Sequence, residues 1–155
     1  MRNNLKSKLF ILLCAIVVSV TSCQRGHSDI PEIVSIHVTV SQNAWQYSNL
    51  SNNNYFYAVV DMPEITEAVF DGGVIKMYRT FNYDTTDATQ IEMPYVRHSE
   101  YNVSGDEWAF YTETVDYDYG IGDIYIYYRV SDFDYELDQS FVPETMNFRC
   151  VIRSN

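Results

Sequence analysis

The sequence predicts an all-β fold: an antiparallel β-sandwich of about seven strands, with one short helix between the second and third. Three observations predict it. Short runs of alternating apolar and polar residues recur along the chain. Segments rich in Asn, Asp, Gly and Ser separate them. Aromatics make up 15% of the residues, with 14 tyrosines among them. Tyrosine and β-branched residues suit a pleated, half-buried surface, and several short strands spaced by turns point to a sandwich.

The first segment stands apart from that domain. Arg2, Lys6 and Lys8 form a positive n-region, followed by an apolar run over residues 9–18, LFILLCAIVV. Spanning a bilayer takes roughly 20 apolar residues, so this run is too short to span and fits a signal-peptide h-region. Val20-Thr21-Ser22-Cys23 places small residues before a cysteine and resembles a bacterial lipobox. That resemblance implies a signal peptide over residues 1–22, cleavage before Cys23 and acylation of Cys23. Cys14 is a poor rival, because Leu13 precedes it and it lies inside the apolar run. Several acyl chains hold a protein stably at a membrane where one chain does not.

The mature chain from Cys23 to Asn155 is then one domain, large enough for a core. Losing three basic residues with the leader takes the formal charge from −11 to −14. Such a chain is repelled by nucleic acid and by anionic lipid surfaces, so the acyl anchor and not charge is expected to hold it at the membrane. The mature cysteines are Cys23, expected to carry lipid, and Cys150, so no intramolecular disulfide is expected. Residues 23–31 read as a polar tether, and residues 32–155 as the β-domain.

Within the domain the elements follow in order. Val34, Ile36, Val38 and Val40 alternate with Ser35, His37 and Thr39, giving a strand with one buried face. Residues 55–60, YFYAVV, form the second strand. Asp61 then reads as a helix cap, with Glu64 at capping-box spacing and Pro63 tolerated in the first turn. Met62, Ile65 and Val69 share one helical face, and Gly72-Gly73 stops the helix. Residues 75–81 form the third strand and residues 90–96 the fourth, where Pro94 argues for an edge. Residues 107–119 are long and aromatic. Trp108 and Phe110 share one parity while Val115, Tyr117 and Tyr119 share the other, which predicts a bulge near residues 112–114. Residues 123–130 follow. Last, Met146, Phe148, Cys150 and Ile152 alternate with Asn147, Arg149 and Val151.

This run of segments resembles a family of small, uncharacterised Bacteroidetes outer-membrane lipoproteins. The likeness rests on the lipobox, the strand leading into Met62-Pro63-Glu64-Ile65-Thr66, the pair Pro94-Tyr95, the aromatic Ile126-Tyr127-Tyr128 and the closing Phe148-Arg149-Cys150-Val151-Ile152. It covers most of residues 36–153. The resemblance implies a lipid-anchored envelope protein and brings no catalytic residues. An aliphatic residue is expected where this chain has Cys150, which favours a packing role for that thiol. Gln24 is not the acidic residue associated with inner-membrane retention, so the outer membrane is expected. Asp84-Thr85-Thr86 resembles the O-glycosylation acceptor of exported Bacteroidetes proteins, which makes Thr85 a candidate glycan site in a polar turn.

Acids and tyrosines dominate DYDYGIGDIYIYYRV, from Asp116. Counted from Asp116, the EF-hand positions 5 and 12 fall on Gly120 and Tyr127, so the calcium pattern fails. On a strand Asp116 and Asp118 share one face and Tyr117 and Tyr119 the other, with a hairpin turn at Gly120-Ile121-Gly122. His27, His37 and His98 have no paired metal-ligand spacing, so no metal or cofactor is expected. The chain has no G-x-S-x-G elbow and no phosphate loop. A non-enzymatic role is expected, with an envelope protein as partner. The alternative is glycan binding through exposed aromatics, with Trp45 and Tyr47 in the polar stretch QNAWQYSNL as the binding residues.

Overall fold

The computed structural model describes residues 32–49, 54–131 and 142–154. The expected signal peptide, Cys23 and the tether lie outside the described residues. The described chain forms two antiparallel sheets. One has four strands in the order β1-β9-β4-β5, and the other has five in the order β2-β3-β8-β7-β6. The strands are β1 (Ile33–Val40), β2 (Gln46–Ser48), β3 (Tyr55–Asp61), β4 (Val74–Phe81), β5 (Thr89–Glu92), β6 (Tyr95–Ser104), β7 (Glu107–Gly120), β8 (Asp123–Val130) and β9 (Met146–Arg153). Among the described residues no ladder joins the two sheets, so the all-β fold is a sandwich. Among the described residues no helix is long and apolar enough to cross a membrane.

Period-2 patterning sets the inner faces. Met146, Phe148, Cys150 and Ile152 of β9 point inward and are all buried. Strand β9 lies between β1 and β4, with Ile36 and Met77 opposite Cys150 on either side. The other sheet answers with Phe56, Ala58, Val115, Ile124, Ile126 and Tyr128, again buried.

Nine strands replace the expected seven for two reasons. A short β2 pairs with β3. The fourth expected strand also divides into two. Met93 donates its N–H to Met77 O at 2.9 Å, the Met93–Pro94 peptide is cis, and the chain passes from the edge strand β5 into β6 of the opposite sheet. Pro94 therefore stands at the corner between the sheets rather than within a strand.

The expected bulge at residues 112–114 is absent. Strand β7 keeps one register with β6 through those residues and with β8 from Glu113 onward. The change of parity has a different cause: Val115 faces the core, while Trp108 and Phe110 are on the outer face at 53% and 67% exposure. A slip of one residue does occur on β6, between Asn102 and Ser104 beside the turn.

The helix α1 (Glu67–Gly72) begins later than the capping-box pattern predicts. Asp61 is held in β3 opposite Asp123, and Met62 N–H donates to Gly122 O. This pairing keeps Asp61 extended. Thr66 is the N-cap instead, its hydroxyl accepting from Val69 N–H. Met62, Ile65 and Val69 are all buried, but Met62 and Ile65 precede the helix, so they do not share a helical face with Val69; the helix ends at Gly72.

Candidate interaction surface

The two outer faces differ in chemistry. On the four-stranded sheet the outward residues of β1, β4 and β9 are mostly polar or basic. On the five-stranded sheet tyrosines, exposed aromatics and acids are prominent among them. Register places Tyr57 between Gln46 and Tyr127, and Tyr127 next to Asp116. Val59, Tyr125 and Asp118 form the adjacent row. Tyr55 lies 5.8 Å from Tyr127 and 6.2 Å from Tyr57, ring centre to ring centre.

Arg129 organises this patch. It pairs with Asp116, and its guanidinium carbon lies 5.2 Å from the Tyr127 ring centre and 5.5 Å from that of Tyr55. Asp116 Oδ1 is buried and has no hydrogen-bond partner among the described residues. Burial first, then the Asp118 carboxylate, raises the Tyr127 hydroxyl above its usual pKa.

Beyond this patch the sheet narrows to two strands among the described residues. Strand β8 pairs with β7 only from Glu113 to Gly120. Ser131 closes that boundary by donating its N–H to Thr112 O and accepting from Thr112 N–H through its hydroxyl, both at 3.0 Å. Residues 107–111 therefore pair with β6 alone among the described residues. At about 3.3 Å per residue they project on the order of 17 Å past the end of β8. Trp108 and Phe110 lie on one face of this arm, opposite Asn102 and Glu100 of β6. Val96, on the same face nearer the body of the sheet, is 53% exposed. The arm ends in a turn where Gly105 takes φ +56° and Asn102 Nδ2 donates to Gly105 O.

The aromatic pair expected from sequence to bind a ligand is not exposed on this surface. Trp45 is not an exposed binding ring: it is 7% exposed and belongs to the core. Its Nε1–H donates to Glu144 O at 3.2 Å, and its ring lies 6.3 Å from Tyr128. The polar neighbours of Trp45 in sequence belong to a 3₁₀ turn over Gln42–Ala44, which folds the indole under the sheet edge. A shallow depression lined by Ser41, Asn43 and Thr145 reaches it. Tyr47 is half-buried against Phe56, with ring centres 5.5 Å apart.

Thr85 does sit in an exposed turn, where Asn82 and Asp84 take φ +50° and +65°. Its hydroxyl donates to Asn82 O and accepts from Asp87 N–H. Cys150 is fully buried, and burial first, then the Glu64 carboxylate, pushes its thiol up to about 11. That is the environment of an inert packing thiol, since the thiolate is the reactive form. Asp116 and Asp118 share the outer face as expected, and Gly122 takes φ +87° in the turn Ile121-Gly122. Among the described residues no group of three or more His, Cys, Asp or Glu side chains could hold a metal.

One feature of the interior has no counterpart in the sequence reading. Arg79 is 8% exposed, and its guanidinium carbon lies 4.6 Å and 4.7 Å from the ring centres of Phe81 and Tyr95. The tolerance of arginine for aromatic faces makes this placement possible. Trp108 and Phe110 were legible as aromatics, but their exposure follows from where β8 stops, which no local pattern records.

Comparison with known protein families, with curated proteins and with solved structures finds no match for this chain.

Proposed function

We propose that this protein is a lipid-anchored component of the cell envelope, held at the outer membrane through acylated Cys23, and that it acts as a non-enzymatic protein-interaction module. The β6–β7 arm supports this reading. A two-stranded ribbon is marginally stable alone in water. This one presents Trp108 and Phe110 to solvent on a single face. Exposed aromatics of this kind anchor interfaces, because they bring large rigid apolar area at low entropy cost. The outer backbone edge of β6 runs ten residues and is unpaired among the described residues. A partner can add a strand there while its own apolar pocket takes the two rings.

The test is photo-crosslinking from position 110 in the native envelope. One abundant crosslinked protein, lost in a Trp108→Ala variant that retains its fold, is the expected result. Crosslinks spread over many proteins and unchanged by Trp108→Ala would overturn the reading.

Glycan binding is the second reading, and the burial of Trp45 moves it to Trp108, Phe110 and the tyrosine patch. A glycan array probed with the same Trp108→Ala variant separates the two: selective, Trp108-dependent glycan retention favours this second reading. Glycosylation of Thr85 is a further proposal, which fits the exposed turn. A Thr85 peptide found only unmodified in protein purified from its host would sink it.

A further inference from the structure

We infer that the outer face of the four-stranded sheet rests on the phosphate headgroups of the anchoring membrane, leaving the aromatic sheet and its arm turned away from the lipid. The inference rests on the proposed acylation of Cys23.

Charge distribution is the first argument. The chain is strongly acidic, yet its basic residues are not evenly spread. Arg79 is buried against the Phe81 and Tyr95 rings, and on the far sheet Arg129 is tied to Asp116 while Arg97 lies opposite Glu113. Lys76, Arg149 and Arg153 all point outward from the four-stranded sheet, in consecutive cross-strand rows. Glu92 is the one acid that the four strands turn to this face, and it pairs with Lys76 at 2.8 Å. Arg149 and Arg153 have no ion pair among the described residues. Arg149 is instead held over the Tyr78 ring, 4.8 Å from its centre. Off the strands, Glu32 precedes β1, Asp71 lies in α1, Glu144 precedes β9, and Asp84 follows Tyr83, whose ring centre lies 5.6 Å from that of His37; among the described residues none of these acids forms an ion pair with the three cations.

Net repulsion does not prevent this contact. At physiological ionic strength charges are screened over about 8 Å, while packed sheets lie about 10 Å apart. Phosphates at the basic face therefore interact mainly with that face. The acids of the opposite sheet act weakly through a sheet thickness, and their sign favours the same orientation.

The path of the chain is the second argument. Strand β1 starts at Ile33, ten residues after Cys23. Fully extended, those residues reach at most about 36 Å, so the domain stays close to the lipid. Ile33 and Val74 flank Arg153 across the strands, and they are 65% and 41% exposed. Aliphatic side chains beside a guanidinium suit the headgroup boundary, where the apolar groups leave water and the cation meets phosphate.

The experiment uses full-length acylated protein in two vesicle types, phosphatidylcholine alone and phosphatidylcholine with phosphatidylglycerol. An environment-sensitive fluorophore is attached through Ser35→Cys on the basic face or Asp118→Cys on the opposite face. Headgroup-borne quencher should reduce the Ser35-position signal several-fold more than the Asp118-position signal in anionic vesicles. High salt or neutral lipid should erase the difference, as should Lys76→Gln with Arg153→Gln. Equal quenching on both faces in anionic vesicles overturns the inference while leaving the anchor intact. A difference indifferent to lipid charge and salt also overturns it. Shielding of the Ser35 position only when an envelope protein is added assigns the face to an acidic protein instead, again against the inference. Failure of the protein to float with vesicles, with an unmodified Cys23 by mass spectrometry, removes the anchor and the inference together.

Discussion

The Tyr128 hydroxyl donates a hydrogen bond to Glu113 Oε1 at 3.0 Å, joining neighbouring strands β8 and β7 on the inner face of the five-stranded sheet. Tyr128 is 4% exposed, and burial first, then the Glu113 carboxylate, raises its hydroxyl above the ordinary tyrosine value. The proton stays on the tyrosine, so the group serves as a donor to a carboxylate. Hydrogen bonds to charged groups are worth about 1.5–3 kcal/mol. Tyr128→Phe should destabilise the domain by about 2 kcal/mol, read as a lower urea midpoint with an unchanged slope. An unchanged midpoint would mean that water replaces the bond at no cost.

The two tryptophans make a second prediction, because they occupy opposite environments. Trp45 is 7% exposed and Trp108 is 53% exposed. Acrylamide should quench the emission of a Trp45→Phe variant strongly, since only Trp108 remains. The Trp108→Phe variant should resist quenching and emit at shorter wavelength. Trp45→Ala should cost about 3–5 kcal/mol by emptying a core site. It is therefore unsuited to testing binding, because loss of a ligand would only report loss of the fold. Trp108→Ala should change stability by less than about 0.5 kcal/mol.

The contrast between those tryptophans also marks where sequence patterning stops. The β9 alternation was readable because β9 is central in its sheet, and every inward residue from Met146 to Ile152 meets the core. Strands β1, β3 and β8 carry the same signal. The polar neighbours of Trp45 suggest an exposed ring, yet a three-residue turn brings its indole against Tyr128. Asp61 has the chemistry of a cap, but the ladder to Asp123 decides its conformation, and Asp123 is distant in sequence. Phe110 shares the parity of Trp108 but sits on a stretch of β7 that outruns β8. Exposure there depends on the relative lengths of two strands. Local signals carried the elements, and long-range pairing decided which side chains are left for function.

Gly73 makes a third prediction. Its φ of −80° is open to any residue, so backbone freedom is not the reason for a glycine. A Cβ built there would lie 2.7 Å from Val69 O and 2.8 Å from Arg153 O, both backbone atoms. The end of α1 is thereby pressed against the end of β9, and Gly73 N–H donates to Val69 O at 2.8 Å. Gly73→Ala must push the helix away from the sheet, with an expected loss of about 1–3 kcal/mol. Gly120→Ala is the control, because its Cβ would meet nothing within 4 Å. Similar unfolding midpoints for the two variants would show that the α1–β9 junction yields easily.

The buried thiol of Cys150 sets the alkaline limit of the fold. It lies between Ile36 and Met77 and is fully buried, which raises its pKa from the ordinary 9.0 to about 11. Below pH 9 the thiol is protonated in both folded and unfolded chains, so its contribution to stability is fully present. As pH rises above 9 the unfolded chain releases the proton while the folded chain keeps it. Stability therefore falls until pH passes about 11, by a total on the order of 3 kcal/mol from this group. Tyr117, Tyr127 and Tyr128 are shifted upward as well, each with burial as the largest cause, and they steepen the same limb. Urea midpoints measured from pH 7 to 11 should fall along this limb. A Cys150→Ala variant should start lower at pH 7, because it leaves a small cavity, and then decline less steeply between pH 9 and 11. A thiol reagent at pH 8 should leave Cys150 unmodified until denaturant is added. Parallel decline of both variants would assign the alkaline limb to the tyrosines alone and place the folded-state thiol near its ordinary value.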